Sequence, residues 1–176
     1  MKKLAVLFAA MLILVGCGGS DDETTKAAET TGVAAETTAA GASTTADAFV
    51  FEANGVAVAM NAEAAPVVEA LGEAKSYFES ESCAFKGLDK EYTYNGFVLK
   101  TYPMDDVDYV SSITLMDDTV ETPEGICIGS SLDDVKAAYG DGGSETTCQY
   151  EKGDSKLLII LDGGVVTSIQ YLAITE

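Results

Sequence analysis

From Phe49 onward the chain alternates apolar and polar positions in short runs, separated by Gly, Asn and Asp. A period of two is the pattern of strands with one buried face. In "EYTYNGFVLK", residues 91–100, the Asn95-Gly96 pair suits a two-residue type I′ turn between β-favouring runs. That register sets Tyr94 opposite Phe97, Tyr92 opposite Leu99 and Glu91 opposite Lys100. One face is then aromatic and apolar and the other carries an ion pair, so Tyr92, Tyr94 and Phe97 are expected in the core. Phe49-Val50-Phe51 predicts a further strand. In "VSSITL" (residues 110–115) and "VTSIQY" (166–171), Ile113 and Leu115, and Ile169 and Tyr171, alternate with polar residues.

"LLIIL", Leu157 to Leu161, is apolar at every position. Alternation assigns Leu158 and Ile160 to the face shared with Ile169, and Leu157, Ile159 and Leu161 to the opposite face. A strand apolar on both sides needs cover on both. The second cover comes from the first half of the chain or from a partner, because large bare apolar patches are uncommon.

Two stretches carry helical spacing, within "GVAVAMNAEAAPVVEALG" and "GICIGSSLDDVKAAYG", and each stops at a glycine, Gly72 and Gly140. Ser131 is a candidate N-cap, with Asp133 and Asp134 in the first helical turn. Gly55 aligns with Gly125, "CAFKG" from Cys83 with "CQYEKG" from Cys148, and "VSSITL" with "VTSIQY". This repeated order predicts an α+β domain of two tandem repeats, residues 48–120 and 121–176. Each repeat is expected to hold a short strand, one helix and an antiparallel three-strand meander, with the helices packed on one face of the sheet.

The first residues are different in kind. Met1-Lys2-Lys3 precedes an apolar run from Leu4 to Val15, too short to span a bilayer comfortably, and this predicts a signal peptide over residues 1–16. Leu14-Val15-Gly16-Cys17 resembles the lipobox of bacterial lipoproteins. The resemblance implies lipidation of Cys17 and anchoring to the cell membrane, with the protein on the outer face of the cytoplasmic membrane. Residues 17–47, Thr/Ala/Glu-rich after the cysteine, have too little apolar content to offset the entropy of ordering and predict a disordered tether. As a flexible coil it would reach roughly 30 Å.

Charge narrows the function classes. There are 29 Asp and Glu against 10 Lys and Arg, no His, and a formal charge of −19. Such a surface argues against nucleic acid as a partner, since basic side chains supply most of that affinity. Without His the commonest general base and zinc ligand are missing. The acidic runs Asp105-Asp106-Val107-Asp108 and Asp117-Asp118 lack the spacing and glycine of a calcium loop and read as solvated turns. No metal, cofactor or catalytic residue is assigned. Among the remaining cysteines, export favours a disulfide, Cys127 with Cys148, or alternatively Cys83 with Cys148.

The order of strand, helix and meander behind a lipobox resembles the repeats of the beta-lactamase inhibitory protein and of small BamE-type envelope lipoproteins. "SCAFKGLDKEYTYNGF", "TYP", "DDTVETPEGICIGSSLDDVKAAYG" and "VTSIQY" are similar to Gram-positive lipoproteins of unassigned activity. Together these readings imply a non-catalytic, protein-binding or inhibitor-like module, or alternatively a scaffold in envelope assembly. The expected binding face comprises Val98, Lys100 and Tyr102 with Leu157, Ile159, Leu161 and Val166.

Overall fold

The computed structural model describes residues 47–175. The expected signal peptide, Cys17 and all of the tether before Asp47 lie outside them. Among the described residues no helix is long and apolar enough to cross a membrane.

The chain opens with a hairpin of β1 (Val50–Ala53) and β2 (Val56–Ala59), closed by Asn54 and Gly55, both in the left-handed region with φ of 53° and 77°. The short helix α1 (Ala64–Leu71) follows. Four strands then form a meander: β3 (Ser76–Glu81), β4 (Leu88–Thr93), β5 (Phe97–Met104) and β6 (Val107–Leu115). After a run of turns come α2 (Leu132–Tyr139) and a second meander of β7 (Thr147–Lys152), β8 (Ser155–Asp162) and β9 (Val165–Ala173). The two meanders join through β6 and β9 into one seven-stranded antiparallel sheet, ordered β3-β4-β5-β6-β9-β8-β7.

The expected α+β fold of two tandem repeats is therefore wrong: the described residues are mostly β, with two helices of eight residues each among them. Its first half gives four strands to the sheet and the second gives three. Nothing in the second half corresponds to the β1–β2 hairpin, and "GICIG" forms turns instead of a strand. That hairpin is central to the core. The Phe51 ring lies 4.9 Å from Phe97 and 5.8 Å from Tyr171, and Phe51 is fully buried, so cover for the inner face does not come from helices alone. Ala64, Val67 and Leu71 of α1 and Val135 of α2 complete the cover.

The likeness of "VSSITL" and "VTSIQY" has a local cause. The two segments lie side by side at the centre of the sheet, with Ile113 opposite Tyr171, Thr114 opposite Gln170 and Leu115 opposite Ile169. Each also contains a β-bulge. Lys100 pairs with Ser112 but Thr101 with Val110, leaving Ser111 extra; Ile160 pairs with Ser168 but Leu161 with Val166, leaving Thr167 extra. In a regular strand, residues three apart face opposite ways. The bulge brings Val110 and Ile113, and Val166 and Ile169, to the same buried face.

That extra residue inverts the expected faces of β8. Ile159 stands opposite Ile169 and Leu157 opposite Tyr171, so Leu157, Ile159 and Leu161 point into the core, while Leu158 and Ile160 face outward. Thr167 steadies the bulge by donating its hydroxyl to the Ile160 carbonyl at 3.2 Å.

The local signals fared better. The register of β4 and β5 has Tyr92 opposite Leu99 and Glu91 opposite Lys100, as expected. Only Gly96 of the turn has positive φ, so the turn is not type I′. A Cβ on Gly96 would stand 2.6 Å from Thr119 Oγ1, a second reason for glycine there. Ser131 caps α2 in a capping box with Asp134, and Gly72 and Gly140 end the helices. Asp105 and Asp106, weighed as part of a calcium site, form the left-handed turn between β5 and β6.

Candidate binding face and open edge

The hairpin and helices cover one face of the sheet. The other is formed by Ser112, Thr114, Ser168 and Gln170 at its centre, with Leu158 and Ile160 towards one end and Lys100, Glu91 and Phe78 towards the other. These side chains are partly or fully exposed.

The seven residues expected to form a binding face are not one surface. Leu157, Ile159, Leu161 and Val166 are interior, placed there by the β9 bulge. Val98 and Tyr102 lie on the outer face but are buried by their neighbours, and only Lys100 is exposed, pairing with Glu91 at 2.9 Å. The cysteine expectation also fails: Cys83, Cys127 and Cys148 are all free thiols. Cys127 Sγ sits 3.6 Å from Ser130 Oγ, whereas Cys148 is buried on β7 opposite Ile159 with its thiol directed to the Ser144 carbonyl. The two sulfurs are held by different local partners.

The sheet has two edges, β7 and β3. On β7, residues 142–144 run alongside the strand: Gln149 N–H donates to the Gly142 carbonyl at 2.7 Å and Ser144 N–H to the Thr147 carbonyl at 2.8 Å. Gly142 fits because the Tyr150 ring occupies the space a Cβ would take, 2.2 Å away. Along β3 every residue is exposed, including Tyr77 and Phe78, the latter at 64%. An unpaired strand edge is a template for further pairing. Tyr77 donates to Glu79, and this bond pushes its phenol up to about 12.

Near β3 the outer face deepens into a groove of about 330 Å³. The loop from Ser82 to Gly87 folds back to make one wall. It can do so because Gly87 has no side chain to strike Pro103, whose Cβ would lie 2.8 Å from an added Cβ. The loop brings Phe85 to 5.0 Å from Tyr102, the two rings tilted by 31°, and Tyr102 in turn lies 5.7 Å from Tyr109 with the planes 27° apart. Tyr102 donates its hydroxyl to Asn61 Oδ1 at 2.9 Å, and burial raises its pKa. Lys90 bonds Asp108 at 2.6 Å, an interaction that raises the lysine's pKa.

Sequence reasoning found Lys100 and Tyr102 but missed Phe78, Phe85 and Asp89, because only the folded-back loop and the β3–β4 pairing bring them together. Among the described residues no cluster of His, Cys, Asp or Glu is arranged to hold a metal ion. No family model, curated protein or solved structure matches this chain.

Proposed function

We propose that the chain is an extracytoplasmic lipoprotein, anchored through Cys17 to the outer face of the cytoplasmic membrane, whose β domain captures another protein without catalysis. The observation carrying the capture reading is the contrast between the sheet's edges: the first half of β7 is covered by the chain's own backbone, while among the described residues none pairs with the outer edge of β3, which borders a face that none of them covers. A partner strand can add to β3 through main-chain hydrogen bonds, with side chains reading Tyr77 and Phe78. Glu79 and Glu81 on that strand, within a chain of formal charge −19, favour a segment bearing Lys or Arg. The lipobox-like "LVGC" supports the anchor.

Photo-crosslinking in intact cells tests the capture. A photoreactive residue at Phe78 is expected to yield one discrete adduct, while the same residue at exposed Glu69 on α1 yields none. Equal labelling from both positions, or none from Phe78, rejects the proposal. Separately, Cys17→Ser should abolish acyl labelling and release the chain from membranes.

A further inference from the structure

Granted the capture reading on which this rests, we propose that the strand taken up at β3 runs antiparallel to it and carries Lys or Arg at two positions separated by a single residue, opposite Glu79 and Glu81, with an apolar residue next along, opposite Phe78.

The outward main-chain groups decide which residues a new strand must face. Ser82 N–H donates to the Gly87 carbonyl at 3.0 Å, and the β3–β4 register is regular from Ser76 to Glu81. Bonded and non-bonded pairs alternate along an antiparallel ladder. Ser80 and Phe78 therefore turn their main-chain groups to β4, and Tyr77, Glu79 and Glu81 turn theirs outward. These three residues carry their side chains on one face of the sheet, and Phe78 carries its own on the other. An added antiparallel strand sets a residue directly opposite each of them, at every second position and about 5.5 Å away between Cα atoms.

Charge then selects the residue type. Within the sheet Glu79 stands opposite Lys90, but that ammonium is held by Asp108 at 2.6 Å, and Glu81 stands opposite Leu88. Neither carboxylate forms an ion pair among the described residues. A cation at the matching position of an added strand supplies the missing cross-strand partner. The cation opposite Glu79 also shares a face with Tyr77 and Tyr92, whose rings lie 5.1 Å apart, and can contact an aromatic surface there. On the other face exposed Phe78 suits an apolar neighbour.

Direction and occupant follow from the same edge. Every pairing described in the seven-stranded sheet is antiparallel, and antiparallel pairs are the more stable per residue. A second copy of β3 would bring Glu79 and Glu81 with it. Residues 18–46 of this chain hold five acidic residues against one lysine, so they too carry the wrong charge.

Fluorescence anisotropy of the full chain with short labelled peptides tests the pattern. Thr-Lys-Thr-Lys-Val-Tyr-Thr matches β3 in the antiparallel sense. Thr-Thr-Lys-Lys-Val-Tyr-Thr moves one lysine to the Phe78 face, and the first peptide written backwards matches only a parallel strand. At low salt the matching peptide should bind about threefold tighter than either of the others. Glu79→Gln together with Glu81→Gln should erase that preference at an unchanged urea midpoint. N-methylation of the lysine opposite Glu79 blocks a main-chain bond to β3 and should weaken binding about tenfold, while N-methylation of the valine, whose N–H points away, should change it little. No binding, equal affinity for the three peptides, tighter binding of the reversed one, or a preference that survives the double variant would overturn the pattern, and a discrete adduct from Phe78 in cells would still leave capture standing. Loss of that adduct rejects capture itself and the pattern with it.

Discussion

The two edges of the sheet meet the same physical problem in opposite ways. At β7, residues 142–144 take up main-chain groups, and Cys148 and Tyr150 turn inward against β8 and the Gly140 carbonyl. At β3 the main chain is left open, and the defence is side-chain charge: Glu79 and Glu81 repel a second copy of the same strand. The difference follows from where the cover lies. The hairpin and helices bury Ile159, Ile169 and Tyr171 but leave Tyr77 and Phe78 exposed. A strand whose neighbours are core is worth sealing, while one beyond the cover remains free to bind.

The strongest way to break the covered end is to place a charge beneath it. Ile159 has 0% exposure and stands opposite Cys148 and Ile169, so Ile159→Asp should cost about 4 kcal/mol or more, or prevent folding. Ile160, one residue along, is 38% exposed on the outer face, and Ile160→Asp should stay within about 0.5 kcal/mol. Urea unfolding followed by circular dichroism reads both. The reverse order of effects would mean that the β9 bulge is not there.

The same pair of residues shows where sequence stops being sufficient. Short-range chemistry was legible: Ser131 as a cap, Gly72 and Gly140 as helix ends, and the pairing of Glu91 with Lys100. Each depends on residues a few positions apart. The faces of β8 were read inverted because one inserted residue, Thr167, flips every side chain beyond it. A signal was present: Val166 and Ile169, like Val110 and Ile113, are apolar at a spacing of three with two polar residues between, which a regular half-buried strand does not produce. Taken as evidence of duplication, that likeness led to the two-repeat fold, although Asn54-Gly55 already marked a hairpin in the first half alone. Of the groove, Lys100 and Tyr102 could be picked out. Phe85 and Asp89 could not, since their placement depends on a loop folding back onto Pro103.

The seal on β7 can be lifted more gently. Gly142→Val would drive a side chain into the Tyr150 ring, and overpacking of this kind should cost about 1–3 kcal/mol. Hydrogen exchange at the Gln149 amide, now bonded to the Gly142 carbonyl, should accelerate far more than exchange at amides of β5. Uniform acceleration would show the strap to be part of the global core.

Alkaline pH separates the two ends again. Burial is the main cause of the raised phenol pKa values of Tyr139 and Tyr171 at the covered end, whereas a hydrogen bond to Glu79 is the main cause at exposed Tyr77. A phenol whose folded pKa lies above its unfolded value of about 10 holds its proton more tightly when folded. Its stabilising contribution is complete below pH 10 and is lost as pH rises beyond that. The urea midpoint should therefore fall above pH 10, and Tyr139→Phe should flatten that fall, while Tyr77→Phe changes it less because the Tyr77–Glu79 bond is exposed and screened by solvent.

The smallest expected change in stability carries the most information about the open edge. Glu79 and Glu81 are exposed and form none of the ion pairs seen among the described residues, so replacing both with Val should alter unfolding free energy by no more than about 0.5 kcal/mol. The edge itself would change character: "SYFESE" becomes an uncharged, β-favouring strand with its main chain still unpaired, the combination that promotes edge-to-edge pairing. Sedimentation velocity should then show stronger self-association of the double variant than of the parent, and adding Tyr77→Pro, which removes a main-chain donor directed away from β4, should reverse it. Self-association that persists with the proline would place the contact elsewhere on the surface. Absence of any change would mean that charge is not what keeps β3 from pairing with itself.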